Sequence, residues 1–214
     1  MIIPKLHYIS QGNSPKEHLE NIQKACTSGA ELVELCLRNV SDKKILETAA
    51  AAREITSHFQ TRLILNGHYK IAKDIKADGV RLEKNDSCPT IVRMHLYTLW
   101  QMIGGTANTL QECKNHIKNE VDYICLTPFR NKEIKENIHP AMGLKGYKAI
   151  LESLETETPM IGFGGITTTD VTEILKTGVT GIGVSEQITT NFDLIRTFNQ
   201  LLSASSTKEQ RHEF

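Results

Sequence analysis

The sequence has 214 residues, with 25 Lys+Arg against 25 Asp+Glu and a formal net charge of zero. That length suits one sizeable core, and the balanced charge removes the electrostatic argument for nucleic acid or an anionic membrane as partner. No apolar run approaches the ~20 residues of a membrane span, and the start, MIIPKLHYIS, lacks the basic and long apolar stretches of a signal peptide, so the sequence reads as cytoplasmic.

In chain order, KLHYIS (5–10) reads as a strand, followed by helical periodicity through Leu19, Ile22, Ala25 and Cys26. ELVELCL (31–37) is a second strand and the alanine-rich stretch 42–58 a strong helix former. RLILN (62–66) is a strand, HYKIAKDIK a short helix and GVRLE (79–83) a strand, while 87–97 is ambiguous. TLWQMIGG (98–105) is a strand, 109–119 a helix, DYICLTP (122–128) a strand and GLKGYKAILESL (143–154) a helix. PMIGFGG is a strand, 168–176 a helix, GIGVSE (181–186) a strand and 190–203 a helix. Near-continuous apolar strands interleaved with helices indicate a parallel sheet covered by helices. Eight such units in about 200 residues predict an α/β chain folded as a single (β/α)8 TIM barrel over 1–204, with 205–214 a frayed polar tail. A doubly wound open sheet is the alternative.

The cysteines, Cys26, Cys36, Cys88, Cys113 and Cys125, are odd in number and form no C-x-x-C. A disulfide framework or structural zinc site is therefore not expected.

In such a barrel the strand ends carry the site. Gly164-Gly165 closes the seventh strand, with Thr167 placed to cap the next helix, and Ser185 closes the eighth. Glycine-rich turns at those two places predict a phosphate held by backbone N–H groups. Glu34, Cys36 and Arg38 share one face of the second strand by alternation. Asn66 and His68 follow the third strand. Arg81, Glu83, Lys84 and Asp86 lie on or after the fourth, Thr106 and Asn108 after the fifth, and Arg130, Lys132 and Lys135 after the sixth. His7 and His95 read as packing residues.

At these strand ends the sequence resembles the thiamine-phosphate synthase and TenI family, over nearly the whole chain. The stretches GAELVELCLRN, LILNG, DGVRLEKND, IGGTANTLQEC, DYICLTPFR, GFGGI and TGVTGIGVS carry the resemblance. It implies a (β/α)8 barrel. It also implies one of two activities: joining an aminopyrimidine diphosphate to a thiazole phosphate with Mg2+ and release of diphosphate, or thiazole tautomerisation in the TenI branch. The family's thiazole-phosphate cup maps onto Gly164, Gly165, Val184 and Ser185. The rest of the implied binding set is Arg38, Asn66, Thr106, Asn108 and Lys135.

The departures shape the expectation. Synthases carry V-Q-L-R-x-K where this chain reads Val33-Glu34-Leu35-Cys36-Leu37-Arg38, and Asn-Asp where it reads Asn66-Gly67. One Mg2+ position is lost at Gly67, and the second survives as Asp86. The threonines before the family's lysine are Lys132, Glu133 and Ile134, and the TenI histidine is replaced by Asn108. A departing diphosphate carries about three negative charges that cations must neutralise, and removing one donor to such an oxyanion costs ~2–4 kcal/mol of transition-state stabilisation. The resulting expectation is a TenI-like thiamin-pathway enzyme of the tautomerase type. It would bind a small phosphorylated heterocycle, with Glu34 as first and His68 as second acid/base candidate. Mg2+ would be needed only for synthase chemistry, and a homodimer is compatible with these features. The alternatives are a working synthase and a non-catalytic barrel that keeps only the phosphate cup.

Overall fold

The computed structural model describes residues 1–96, 100–130 and 140–204. Eight strands alternate with helices: β1 (Leu6–Ile9), α1 (Pro15–Thr27), β2 (Leu32–Leu35), α2 (Asp42–Phe59), β3 (Arg62–Asn66), α3 (Tyr69–Asp74), β4 (Gly79–Leu82) and α4 (Pro89–His95). The second half runs β5 (Met102–Ala107), α5 (Leu110–Lys118), β6 (Tyr123–Leu126), α6 (Gly143–Glu152), β7 (Met160–Phe163), α7 (Val171–Leu175), β8 (Gly181–Val184), α8 (Glu186–Thr190) and α9 (Leu194–Ala204). The strands close in sequential order into one barrel, with β8 pairing back onto β1 at Leu6↔Ile182, His7↔Gly183 and Tyr8↔Val184, all parallel. This is the predicted (β/α)8 TIM barrel, not the open sheet.

Closure leaves no strand edge exposed and divides the buried residues into two sets. The larger lies between strands and helices, where Ile22, Ala49, Val80, Ile124, Ile174 and Phe198 pack. The smaller fills the barrel interior: Leu32, Ile64, Met102, Tyr123, Cys125, Ile161 and Phe163. Inward space is limited, so large rings lie over glycines on neighbouring strands. A Cβ on Gly104 would meet the Tyr123 ring at 2.3 Å, and one on Gly183 would meet Phe163 at 2.4 Å.

Local chemistry explains most boundaries. The Ser14, Ser41 and Thr109 hydroxyls accept from Glu17, Lys44 and Glu112 amides and start α1, α2 and α5. The ambiguous 87–97 stretch contains α4, entered by Pro89, whose missing N–H costs nothing at a first helical position. The predicted strand 98–105 starts only at Met102, residues 97–99 lying outside the described set. The helix expected over 168–176 shortens to α7, because Thr167 does not cap it. Instead, its N–H (2.8 Å) and hydroxyl (2.7 Å) donate to the Asp170 carboxylate. The single helix expected over 190–203 is preceded by a separate α8, and β8 stops at Val184 because Ser185 is already that helix's N-cap. The expected tail, 205–214, lies outside the described residues. Among the described residues no helix is long and apolar enough to cross a membrane.

Candidate active site

Period-two alternation continues upward from the apolar interior and becomes polar at the carboxyl ends of β2–β5. Glu34, Asn66, Arg81, Glu83 and Thr106 meet there. Arg81 is the centre. Its Nε donates to Glu34 Oε2 at 2.8 Å and its Nη2 to Glu34 Oε1 at 2.7 Å, a bidentate fork. Its Nη1 reaches Glu83 Oε1 and Thr106 Oγ1, both at 2.6 Å. Asn66 Nδ2 spans Glu83 Oε1 (3.1 Å) and Glu34 Oε1 (3.3 Å). The guanidinium also lies 5.4 Å from the Phe163 ring centroid.

Glu34 is wholly buried and the Arg81 side chain 7% exposed, so neither is stabilised by bulk water. Burial works against the charge on Arg81, but Glu34 and Glu83 outweigh it and hold its pKa well above the ordinary value. Burial would raise Glu83, yet Arg81, Asn66 and Thr106 keep it below the usual carboxylate range. Two carboxylates and one guanidinium leave this cluster with a formal charge of −1, and four of Arg81's five N–H donors are engaged by partners within the protein.

The predicted residues separate into three groups. Glu34, Asn66 and Thr106 are brought together, around an arginine. Both Glu34 oxygens are committed to Arg81, which is a poor arrangement for the proton carrier expected there. Arg38 is exposed beyond the end of β2, close enough to Cys36 to counter the upward push that burial and Glu34 give that thiol. Asn108 bridges strands: its Nδ2 donates to the Thr127 carbonyl at 2.5 Å. His68 stands exposed at the rim, before α3, at φ 28°, lining a groove with Lys43, Lys70, Asp86 and Ser87 rather than the Arg81 cluster. Lys132, Glu133, Ile134 and Lys135 lie outside the described residues.

His7, read as a packing residue, is buried inside the barrel. It makes edge contacts with Tyr123 and Phe163, with Nε2 bonded to the Pro4 carbonyl at 3.0 Å. His95 bonds its own helix at the Ile91 carbonyl and stacks edge-on with Tyr69. From the sequence, Arg81 and Glu83 lie on or after the fourth strand with no role given to them. Counting back by twos from Glu83 to Arg81 and Gly79 marks both as inward, the signal that identifies them.

The two glycine-rich turns lie side by side. Gly164 and Gly165 take φ of 96° and 74°, conformations that L side chains rarely adopt. The Thr168 N–H after them donates to Gln187 Oε1 in α8 at 2.9 Å, tying the β7 turn to the β8 turn. The Ser185 hydroxyl is turned away to the Ile9 carbonyl at 2.8 Å. Among the described residues, the N–H groups of Gly165, Ile166 and Ser185 have no acceptor. Val184 is buried beside them.

Asp86 faces the other gap. Its Oδ2 accepts from the Glu83 amide at 2.7 Å, and a Cβ built on Gly67 would stand 3.4 Å from both of its carboxylate oxygens. A second carboxylate at position 67 would therefore adjoin Asp86. With glycine there, that second carboxylate is missing, and among the described residues no group of three or more His, Cys, Asp or Glu could hold a metal by itself. Mg2+ is commonly bound through one or two carboxylates with substrate phosphates and water completing the shell, so one carboxylate at this rim still fits the ion.

A parallel eight-stranded barrel with polar groups gathered at the carboxyl ends of its strands has the architecture on which barrel enzymes place their chemistry. A family profile described as thiamine monophosphate synthase matches residues 6–188, and the chain belongs to that family. It is 36% identical over 211 residues to the thiamine-phosphate synthase of Flavobacterium johnsoniae, covering 94% of this chain and 97% of that protein. It is 32% identical to the thiamine-phosphate synthase of Bacteroides thetaiotaomicron, covering 86% and 88%. The thiamine phosphate pyrophosphorylase structure from Pyrococcus furiosus superposes with a TM-score of 0.80 at 22% identity, covering 94% and 96%, a likeness of fold.

Proposed function

We propose that this barrel is a thiamine-phosphate synthase, joining an aminopyrimidine diphosphate to a thiazole phosphate and releasing diphosphate. The observation that carries the reading is the pair of tied turns whose amides at Gly165, Ile166 and Ser185 have no acceptor among the described residues, in a chain whose relatives named as synthases match almost end to end. Those amides would hold the thiazole phosphate, since backbone N–H groups without an internal acceptor suit an oxyanion. The Glu34–Arg81 fork would form the floor of the site. Arg81 is kept charged and fixed, and Glu83 keeps an exposed carboxylate edge toward the mouth, its side chain being 41% exposed. Asp86 would hold Mg2+ together with the substrate diphosphate, and the ion would neutralise charge on the leaving group. Exposed Arg38 would add a cation at the rim.

The tautomerase expectation loses ground on two counts. The relatives carry the synthase name, and Glu34 is clamped by Arg81 rather than free to carry a proton. Incubating the purified protein with both substrates and Mg2+ tests the proposal. Thiamine phosphate is expected, and chelation of Mg2+ should stop its appearance. Thiazole-phosphate binding without product would instead leave a binding barrel.

A further inference from the structure

The turn after β7 is held by a residue to which no role has yet been given. Arg130 follows β6 and addresses both glycines. Its backbone N–H donates to the Gly164 carbonyl at 3.0 Å, and its Nη1 donates to the Gly165 carbonyl at 2.7 Å. The same guanidinium forms a two-toothed pair with Asp170, Nη1 to Oδ2 at 2.6 Å and Nη2 to Oδ1. Asp170 Oδ2 in turn accepts the Thr167 N–H and hydroxyl. The Arg130 plane lies over Phe129, 5.1 Å from guanidinium carbon to ring centroid, and the Phe129 N–H donates to the Phe163 carbonyl at 2.7 Å.

Consecutive peptide groups are rigid planes, so fixing a carbonyl fixes the direction of the N–H on the next residue. Drawing the Gly164 and Gly165 carbonyls toward Arg130 turns the Gly165 and Ile166 N–H groups to the opposite side. These are two of the amides without an acceptor among the described residues. Positive-φ glycines would otherwise sample several orientations. Arg130 bonds the carbonyls of the turn rather than its amides, and its side chain is 47% exposed, so it contributes little to the core.

We propose that Arg130 and Asp170 are positioning residues that preorganise the Gly164-Gly165 turn for a phosphate monoester. The inference depends on the reading above that a phosphate binds at this turn. The pair acts on the phosphate end of the ligand alone, because the Arg130 guanidinium fixes the Gly165–Ile166 peptide plane while the Arg130 backbone N–H fixes the Gly164–Gly165 plane.

The test compares calorimetric affinities for thiazole phosphate and for the unphosphorylated thiazole alcohol, in the wild type and in Arg130→Met, Arg130→Lys and Asp170→Asn. In the wild type the phosphate ester should bind more tightly than the alcohol, and Gly165 and Ile166 amide resonances should shift on adding inorganic phosphate. Arg130→Met and Asp170→Asn should each weaken the ester by about tenfold, roughly one charge-assisted hydrogen bond's worth of alignment, and leave the alcohol unchanged. Arg130→Lys should not restore the ester, since an ammonium cannot serve two carboxylate oxygens and a carbonyl in one plane. Melting temperatures report whether each variant is folded. Ester affinity unchanged in folded Arg130→Met, or restored in Arg130→Lys, overturns the positioning role while the phosphate reading stands. A wild type that binds ester and alcohol equally, with no shift at Gly165, overturns both.

Discussion

At the scale of single residues, the Arg81 cluster shows why a buried ion pair is a poor stabiliser and a good constraint. Removing two charges from water costs several kcal/mol each, and a bidentate contact returns about that much and little more. Breaking one side is different, because it strands the other charge. Glu34→Ala should therefore destabilise the protein by about 3 kcal/mol in urea denaturation, the lower part of the range for an orphaned buried charge, since Glu83 still offers one oxygen to Arg81. The paired replacement Glu34→Leu with Arg81→Met should recover most of that loss while abolishing product formation. If the double variant were as unstable as the single one, the cluster would be needed for folding rather than for the floor of the site.

At the scale of elements, the closing seam between β1 and β8 depends on Gly181. A Cβ there would lie 2.4 Å from the Lys5 carbonyl oxygen and 2.9 Å from Lys5 Cα, and Lys5 cannot retreat without breaking the bond its carbonyl accepts from the Ile182 N–H at 2.7 Å. Gly29 is the opposite case: φ is 87° and nothing lies within 4 Å of its added Cβ. Gly29→Ala should cost about 1–2 kcal/mol, the left-handed penalty alone. Gly181→Ala should cost clearly more, as thermal melts of the two variants will register. Equal costs would mean that the seam can open to admit a methyl group.

The same contrast explains what was legible in the sequence. Ser14, Ser41 and Thr109 announce their helices by cap chemistry, and strands such as RLILN announce themselves by unbroken apolar character. The glycine turn after β7 was readable because glycine at a strand end has few other uses. The Arg81 cluster was not, because a charged residue reads as exposed until its partner on another strand is known, and Glu34 lies 47 positions away. Thr167 misled for a related reason. Its placement suited a helix cap, but Asp170, three residues on and fixed by Arg130, took its hydrogen bonds.

For the whole molecule, acid stability turns on groups whose proton affinity changes on folding. The sequence pI is about 7.1, so net self-repulsion is small around neutrality, and below it positive charge accumulates on the histidines, eight in the sequence. The linkage at mildly acid pH then falls on groups whose proton affinity differs between folded and unfolded chains. His7 is the strongest of these. Burial, aided by the nearby Arg81 charge and opposed by the Pro4 carbonyl bond, lowers its pKa to about 3. Tyr123 and Phe163 pack against the ring, and its Nδ1 has no partner among the described residues. An unfolded histidine takes up a proton near pH 6.5, so between about 6.5 and 3 the unfolded chain binds a proton that the folded one refuses. The stability this group contributes is complete above pH 6.5 and is lost steadily as pH falls through that window. His18, also lowered by burial, acts in the same direction. Urea denaturation at pH 7.0 and at pH 5.0 should show the wild type losing stability, and His7→Phe, which keeps a ring against Tyr123 and Phe163, losing less over the same interval. Parallel losses in the two proteins would mean that His7 is protonated inside the fold, and that the barrel interior beneath Arg81 is wetter than its packing implies.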